Sequence, residues 1–272
     1  MTGHDAPRTI RLATFNARHG APPGGRADVG RFAAAVGQLD ADVLALQEVE
    51  RSTPRSRGAD LVAVAGAALD APWHHFSPTV RGVPGTYLAA GRAGRGARRW
   101  PGYPGHGIGL VSRFPVDRWL RLELPRMAWR DRVRRSPEGS ALPVRVVPDE
   151  PRVALAAVLR TPAGPLTVVT THLTSRVEHT ATQLGALVRA CAALPGPLVL
   201  IGDLNLRPPD VARISGWRPL AVAHTHPAGR PVRQIDHVLA ADRGLAPVGT
   251  ATAVDTGVSD HRALAVEVLS AV

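Results

Sequence analysis

The stretch Leu198-Val199-Leu200-Ile201-Gly202-Asp203-Leu204-Asn205 decides how this chain is read. Four consecutive large apolar residues read as a buried strand. The strand exits through Gly202 into an acid and an amide. Just upstream, residues 177–194 carry a helical pattern stopped by Pro195-Gly196-Pro197. A helix, a buried strand and an acid at the strand's end place a chemically useful side chain on a rigid scaffold, the preferred position for ligand sites in sheet proteins.

The same arrangement recurs on both sides of this stretch. Asn16 follows the apolar run 10–15, Gln47-Glu48 follows 43–46, and His172 follows 166–171. Asp236 lies inside the strand-like segment 234–239, and Asp260-His261 precedes 263–268. Helical spacing is also present at 28–39 and 60–69. Residues 153–159 and 166–171 read as a hairpin about the turn Thr161-Pro162-Ala163-Gly164-Pro165. Further strands are expected at 9–15, 42–46, 108–112 and 116–122. Several strands follow one another without a helix between them, which points to mixed sheets rather than a doubly wound parallel sheet.

Composition narrows the classes. The 272 residues carry 33 basic and 22 acidic side chains, a net charge of +11, and every basic residue is arginine. Such a field attracts polyanions, and the guanidinium fork suits phosphate, so a phosphate-bearing partner, nucleic acid first, is expected. No run approaches the length of a membrane-spanning helix. No apolar leader with a small-residue cleavage site opens the chain, so a cytoplasmic protein is expected. Cys191 is the single cysteine, which excludes an intrachain disulfide and cysteine-based zinc sites. No protein partner is evident. Two long segments, 79–107 and 125–151, are rich in arginine and read as loops. Trp100, Tyr103 and Trp129 lie among those arginines, a mixture that suits single-stranded nucleic acid as well as it suits solvated connections.

The polar residues at the strand ends form a coherent set. Glu48, Asp203 and Asp260 are hard oxygen ligands, and Asn16 and Asn205 are neutral ones, the kind of donor magnesium takes. His172 and His261 can bond a phosphate oxygen or move a proton near neutral pH. Asp236 can hold His261 in one tautomer. Any one of these acids or amides, taken singly, is more often a turn or cap residue; the ordered set favours a site. Glu50 and Arg51 read as surface residues. His237, alternating with Asp236 along a strand, reads as structural. His74-His75 and the pair His224 and His226 read as structural or surface residues, the last two near a substrate rim.

Six short strings occur in order: Thr14-Phe15-Asn16, Leu46-Gln47-Glu48-Val49, Thr171-His172-Leu173, Gly202-Asp203-Leu204-Asn205, Ile235-Asp236-His237-Val238-Leu239 and Ser259-Asp260-His261-Arg262. Together they resemble the endonuclease/exonuclease/phosphatase superfamily, whose fold is that of pancreatic deoxyribonuclease. The resemblance implies an α/β (α+β) fold, a four-layer α-β-β-α sandwich with two mixed β-sheets face to face. It implies one catalytic domain over residues 8–272, with 1–7 expected to be disordered. It also implies metal-dependent hydrolysis of phosphodiesters or phosphomonoesters with Mg2+, or Mn2+ as the alternative ion. A nuclease on DNA or RNA is the first expectation; a phosphatase or phosphodiesterase of lipid head groups, inositol phosphates or other small esters is the second.

Carried over by position, Asn16, Glu48 and Asp260 match the metal side of the family's site. His172 and Asn205 match contacts to the phosphate and the nucleophile. Asp203 matches the acid that positions or deprotonates water, and His261 with Asp236 the catalytic histidine and its acid. The chain departs from the family pattern at His106-Gly107-Ile108-Gly109, where many members carry an asparagine. It also has no acid within 79–107, the region where deoxyribonuclease-type members supply the partner of the histidine matching His172.

Overall fold

Alternation along the first strand sets the layers. In β1 (Ile10–Asn16), Ile10 and Leu12 face one apolar cluster while Ala13 and Phe15 face another, as expected of a strand buried on both sides. The structure, a computed structural model, describes residues 9–90, 102–126, 130–132, 145–147 and 150–270. The segment 1–7, Trp100 and Trp129 lie outside the described residues.

After β1 come α1 (Val29–Leu39), β2 (Val43–Arg51), α2 (Leu61–Ala68), β3 (Trp73–Arg81), β4 (Leu88–Ala89), β5 (Gly105–Ser112) and β6 (Val116–Glu123). A short pair, β7 (Arg130–Arg132) and β8 (Arg145–Val147), leads to β9 (Val153–Thr161), β10 (Gly164–His172) and α3 (Val177–Cys191). The chain closes with β11 (Leu198–Asp203), α4 (Pro208–Ser215), β12 (Arg218–Pro219), β13 (Asp236–Ala240), β14 (Leu245–Val254) and β15 (Ala263–Ser270).

Among the described residues these strands form two large mixed sheets. One has the order β14-β15-β1-β2-β5-β3-β4, the other β12-β13-β11-β10-β9-β6. Leu12, Val43, Ile108 and Leu264 of the first sheet meet Leu155, Val168, Val199, Ile201 and Val238 of the second in a shared apolar layer. Phe32, Val36 and Leu39 of α1 and Leu61 and Val62 of α2 cover the outer face of the first sheet through Phe15, Leu44 and Leu46. Leu184, Leu187 and Cys191 of α3 and Val211 of α4 cover the second through Val169, Leu200 and Leu239. The result is the expected four-layer α/β sandwich. Asp28 and Asp60 start α1 and α2, each accepting a backbone N–H from the first turn. No helix among the described residues is long and apolar enough to cross a membrane.

The expected strand 42–46 does not stop at its apolar run. It continues to Arg51, with a bulge between Leu46 and Val49 where it pairs with β5. The segment 79–107 is not one loop: 79–81 completes β3, and 105–107 opens β5, because the glycines there allow close strand contact. A Cβ on Gly107 would meet the Ser77 carbonyl oxygen at 2.3 Å. β14 was not expected. It is an edge strand of half-exposed residues that lacks an apolar run.

Cys191 sits under α3 at 3 % exposure, and burial pushes its thiol up to about 12. We expect no labelling of the native protein by a thiol reagent at neutral pH and complete labelling in denaturant, read by mass spectrometry. Rapid native labelling would contradict the packing of α3 on the second sheet.

Candidate active site

Period two delivers the functional side chains. Leu12, Thr14 and Asn16 point between the sheets from β1; Val168, Thr170 and His172 do so from β10; Val199, Ile201 and Asp203 from β11. β1 and β2 run parallel with Asn16 opposite Gln47, and β10 and β11 run parallel with His172 opposite Asp203. β13 runs antiparallel to β11 and places Asp236 opposite Asp203. One end of the sandwich therefore collects the polar residues that end β1, β10 and β11, sit at the bulge of β2 and begin β13.

The floor of this end is a buried polar bridge between the sheets. Thr14 Oγ1 donates to Gln47 Oε1 at 3.2 Å, and Gln47 Nε2 donates to Thr170 Oγ1 at 3.2 Å. Above it, Asn16, Glu48, His172, Asp203, Asn205 and His261 line a cleft of about 280 Å3, together with His106, Glu150, Arg152 and Ser175. Six of the eight expected site residues thus meet directly. Asp236 is buried behind His261. Asp260 stands at the rim, its Oδ2 3.5 Å from Arg18 Nε.

Asp203 is the centre, at 1 % exposure. Its Oδ1 accepts the Asn205 backbone N–H at 3.0 Å, and its Oδ2 accepts Asn16 Nδ2 at 3.0 Å. The same Oδ2 lies 3.5 Å from His172 Nε2 and 3.9 Å from His261 Nε2. Burial, then the nearby Asp236, raises the Asp203 carboxyl above the usual carboxylate range. His261 Nδ1 bonds Asp236 Oδ2 at 3.0 Å. Burial alone would lower the imidazole, but Asp236 and Asp203 outweigh it and favour the protonated ring. His172 is the opposite case: burial, reinforced by Arg152, keeps it well below its ordinary value and neutral. Two histidines with opposed charge states flank one carboxylate.

Backbone geometry sharpens the presentation. Glu48 sits in the bulge with φ of 52°, and Asn205 has φ of 51°, both in the left-handed region. Gly202 is required where it stands, because a Cβ there would meet the Thr171 carbonyl oxygen at 2.2 Å. Relieving the bulge separates stability from presentation. Glu48→Gly is expected to lose the carboxylate and its function yet melt within about 1 kcal/mol of the parent, since glycine accepts that φ. A thermal melt checks this, and a large loss of stability would show that Glu48 is structural.

Asn16 is oriented unambiguously. Its Oδ1 accepts the Arg18 backbone N–H at 3.2 Å, so the atom facing Glu48 Oε1 at 3.2 Å and Asp203 Oδ2 at 3.0 Å is the amide nitrogen. In this geometry Asn16 aligns two carboxylates instead of offering its oxygen to a cation. The donor set still fits a hard cation: Glu48 opens into the cleft, and Asp203, Asp236 and His261 present ligand atoms within 4.8 Å of one another. Within that group the Nδ1–Oδ2 bond also makes His261 and Asp236 an acid–histidine pair.

Glu50, expected at the surface, is completely buried. It accepts hydrogen bonds from Thr53, from both Nε and Nη2 of Arg55, and from Tyr87 at 3.0 Å. His106 stands between this carboxylate and the cleft, with Nδ1 3.8 Å from Glu50 Oε1 and Nε2 3.9 Å from Glu150 Oε1. Burial opposes the charge on His106, but Glu50 and Glu150 overcome it and raise its pKa. Glu150, Arg152 and Ser175 were not singled out from sequence; Glu150 belonged to a segment read as a loop. His237 is structural as expected, with Nε2 2.9 Å from the Leu206 carbonyl oxygen. His226 reaches the rim, its ring edge-on to His261 at 4.7 Å.

Residues 13–261 match the model of the Endonuclease/Exonuclease/phosphatase family. No functionally curated protein matches the chain. Solved structures of the same fold include an endonuclease/exonuclease/phosphatase from Beutenbergia cavernae, 23 % identical with a TM-score of 0.69, over 97 % of this chain and 72 % of that one. A second, from Bacteroides vulgatus, is 16 % identical with a TM-score of 0.66, over 97 % and 99 %. The human Nocturnin catalytic domain with bound sulfate anion is 16 % identical with a TM-score of 0.61, over 98 % and 96 %.

Proposed function

Because this chain belongs to the endonuclease/exonuclease/phosphatase family, a family of phosphoesterase hydrolases generally dependent on a divalent metal, we propose that it hydrolyses phosphodiester bonds of a nucleic acid with magnesium. One observation carries the reading: the Asp203 carboxylate, held by Asn16 and Asn205, lies between a neutral His172 and a His261 clamped by Asp236. On this reading residues 8–272 act as a single catalytic domain.

Glu48 and Asp260 would hold the ion, which supplies Lewis-acid stabilisation and orientation of the phosphate when bound. Asp203 takes a proton from the attacking water, for which a carboxyl raised by burial is suited. Asn205 fixes Asp203 through its backbone N–H, and its Nδ2 is itself anchored on the Leu173 carbonyl at 2.9 Å. His172 donates to a phosphoryl oxygen as a neutral imidazole. His261, protonated and oriented by Asp236, stabilises the negative charge that grows there. Arg152, at the cleft wall, adds a guanidinium for the same anion. The all-arginine excess of charge favours a polyanionic substrate.

A second reading has one observation in its favour. Beside the rim, Arg207, Val222, Val232 and Arg233 help enclose a largely apolar hollow of about 460 Å3, with Val222 and Val232 exposed. It would suit a small phosphate ester with an apolar leaving group. Purified protein should be assayed with magnesium on supercoiled DNA, single-stranded DNA, RNA and bis(p-nitrophenyl) phosphate, each with chelator and His261→Ala controls. Chelator-sensitive, His261-dependent cleavage of a polynucleotide is the expected result. Turnover of the small ester alone would favour the second reading, and no turnover of any substrate would defeat both.

A further inference from the structure

We propose that the hollow formed by His19, Arg26, Arg55 and Arg57, next to the cleft, is a subsite for a second phosphate group on the same substrate molecule. The inference rests on the phosphodiesterase reading and extends it to substrates with two phosphates close together.

The hollow holds about 330 Å3 between the connection that follows β1 and the loop that follows β2, and no acid lines it. Arg55 is fixed from below by Glu50, so its guanidinium is positioned before any ligand arrives. Arg26 and Arg57 are exposed and form no ion pair within 4 Å among the described residues. Arg57 is close enough to Asp28 to lower its carboxyl, and that carboxylate is committed to capping α1. Two uncommitted guanidinium groups flanking a fixed third match a phosphate dianion in charge and in fork geometry.

The hollow adjoins the cleft along both strands that carry the first sheet's site residues. His19 comes three residues after Asn16, which puts their Cα atoms within about 11 Å. Arg55 grips Glu50, two residues past Glu48, and Glu50 faces His106 in the cleft wall. Arg18, beside His19, reaches Asp260 at the rim. Arg18, His19 and Arg57 have φ of 43°, 50° and 53°, left-handed values that non-glycine residues seldom adopt and that cluster at ligand sites. Burial and the neighbouring Arg55 hold His19 down to about 4, so it is neutral at pH 7 and provides hydrogen bonding without a counter-ion.

The test is an NMR titration of the full chain in chelator, where no turnover occurs. The probes are one dinucleotide with a single internal phosphate, its 5′-phosphorylated and 3′-phosphorylated forms, and inorganic pyrophosphate. One phosphorylated form should bind about tenfold more tightly than the parent dinucleotide. The Arg26→Ala/Arg57→Ala variant should lose that advantage while keeping the parent's affinity within about twofold. Equal binding of all three dinucleotides, or an advantage that survives in the variant, would overturn the subsite. So would arginine-dependent binding of pyrophosphate with no advantage for either phosphorylated dinucleotide, since that describes a free-anion site. Magnesium-dependent turnover of bis(p-nitrophenyl) phosphate, which has one phosphate, reads the proposed activity separately and should be unchanged in the variant. Its absence in the parent protein would count against the activity and leave the binding result standing.

Discussion

Asp203→Asn should reduce turnover by at least about a thousandfold while the protein still folds. The substitution keeps shape and the bond from the Asn205 N–H, but removes the carboxylate that lies within 4 Å of Asn16, His172 and His261 together. An amide cannot accept the proton of water, and its NH2 would face the Asn16 amide as donor against donor. His261→Ala should cause a comparable loss. It leaves Asp236 buried without its partner and so costs about 1–3 kcal/mol of stability as well. If the two residues act on one reacting centre, as proposed, the double variant should fall little further than either single one. Circular dichroism and a thermal melt separate lost chemistry from lost fold. Near-normal activity in both single variants would mean that the cleft is not the catalytic site.

Glu50→Ala should destabilise the protein by about 1–3 kcal/mol, because it removes the buried acceptor shared by Thr53 and Tyr87, while the Arg55 left behind is exposed to solvent. Arg55 would lose its anchor, and Thr53 and Tyr87 would lose their acceptor. The effect has a pH signature. Burial opposes ionisation of Glu50, but the nearby His106 and the hydrogen bonds from Arg55 and Thr53 prevail and lower its carboxyl from 4.5 to about 2. A carboxyl depressed in the folded state contributes stability that is full above its unfolded pKa and is lost as pH falls through the folded one. The parent should therefore lose stability between about pH 4.5 and pH 2, and Glu50→Gln should show a shallower dependence there. Denaturant melts across that range decide it; identical slopes would remove Glu50 from the account of acid unfolding.

The legible part of this molecule is the part where an apolar run meets a polar end. Leu198 to Ile201 declares β11, and Asp203 and Asn205 stand where such a strand must open. The same reasoning finds Asn16, His172 and His261. It fails where burial comes from polar pairing. Glu50 looks like a surface acid because nothing in its neighbourhood on the chain announces Arg55, Tyr87 and His106 as partners. It fails again where glycine permits pairing, as at 105–107, and at the edge strand β14, which needs no buried face. Glu150 and Arg152 reach the cleft from the end of an arginine-rich segment, and only the packing of β9 against the rest of its sheet reveals that. The Glu48 bulge was invisible for a different reason: a left-handed glutamate violates the local preference that sequence reasoning relies on.

Asn16 and Glu48 come from one sheet, and His172, Asp203 and Asp236 from the other, while Thr14, Gln47 and Thr170 tie the two together beneath them. The cleft is thus a gauge of alignment between two separately covered layers. A relative slide of an ångström would break the 3.0 Å contact from Asn16 to Asp203 while leaving each sheet's ladder intact. On the proposed reading of the cleft, catalytic output reports on how the halves are seated, and warming, dilute denaturant or a poorly chosen core substitution should silence the enzyme before its secondary structure registers any change.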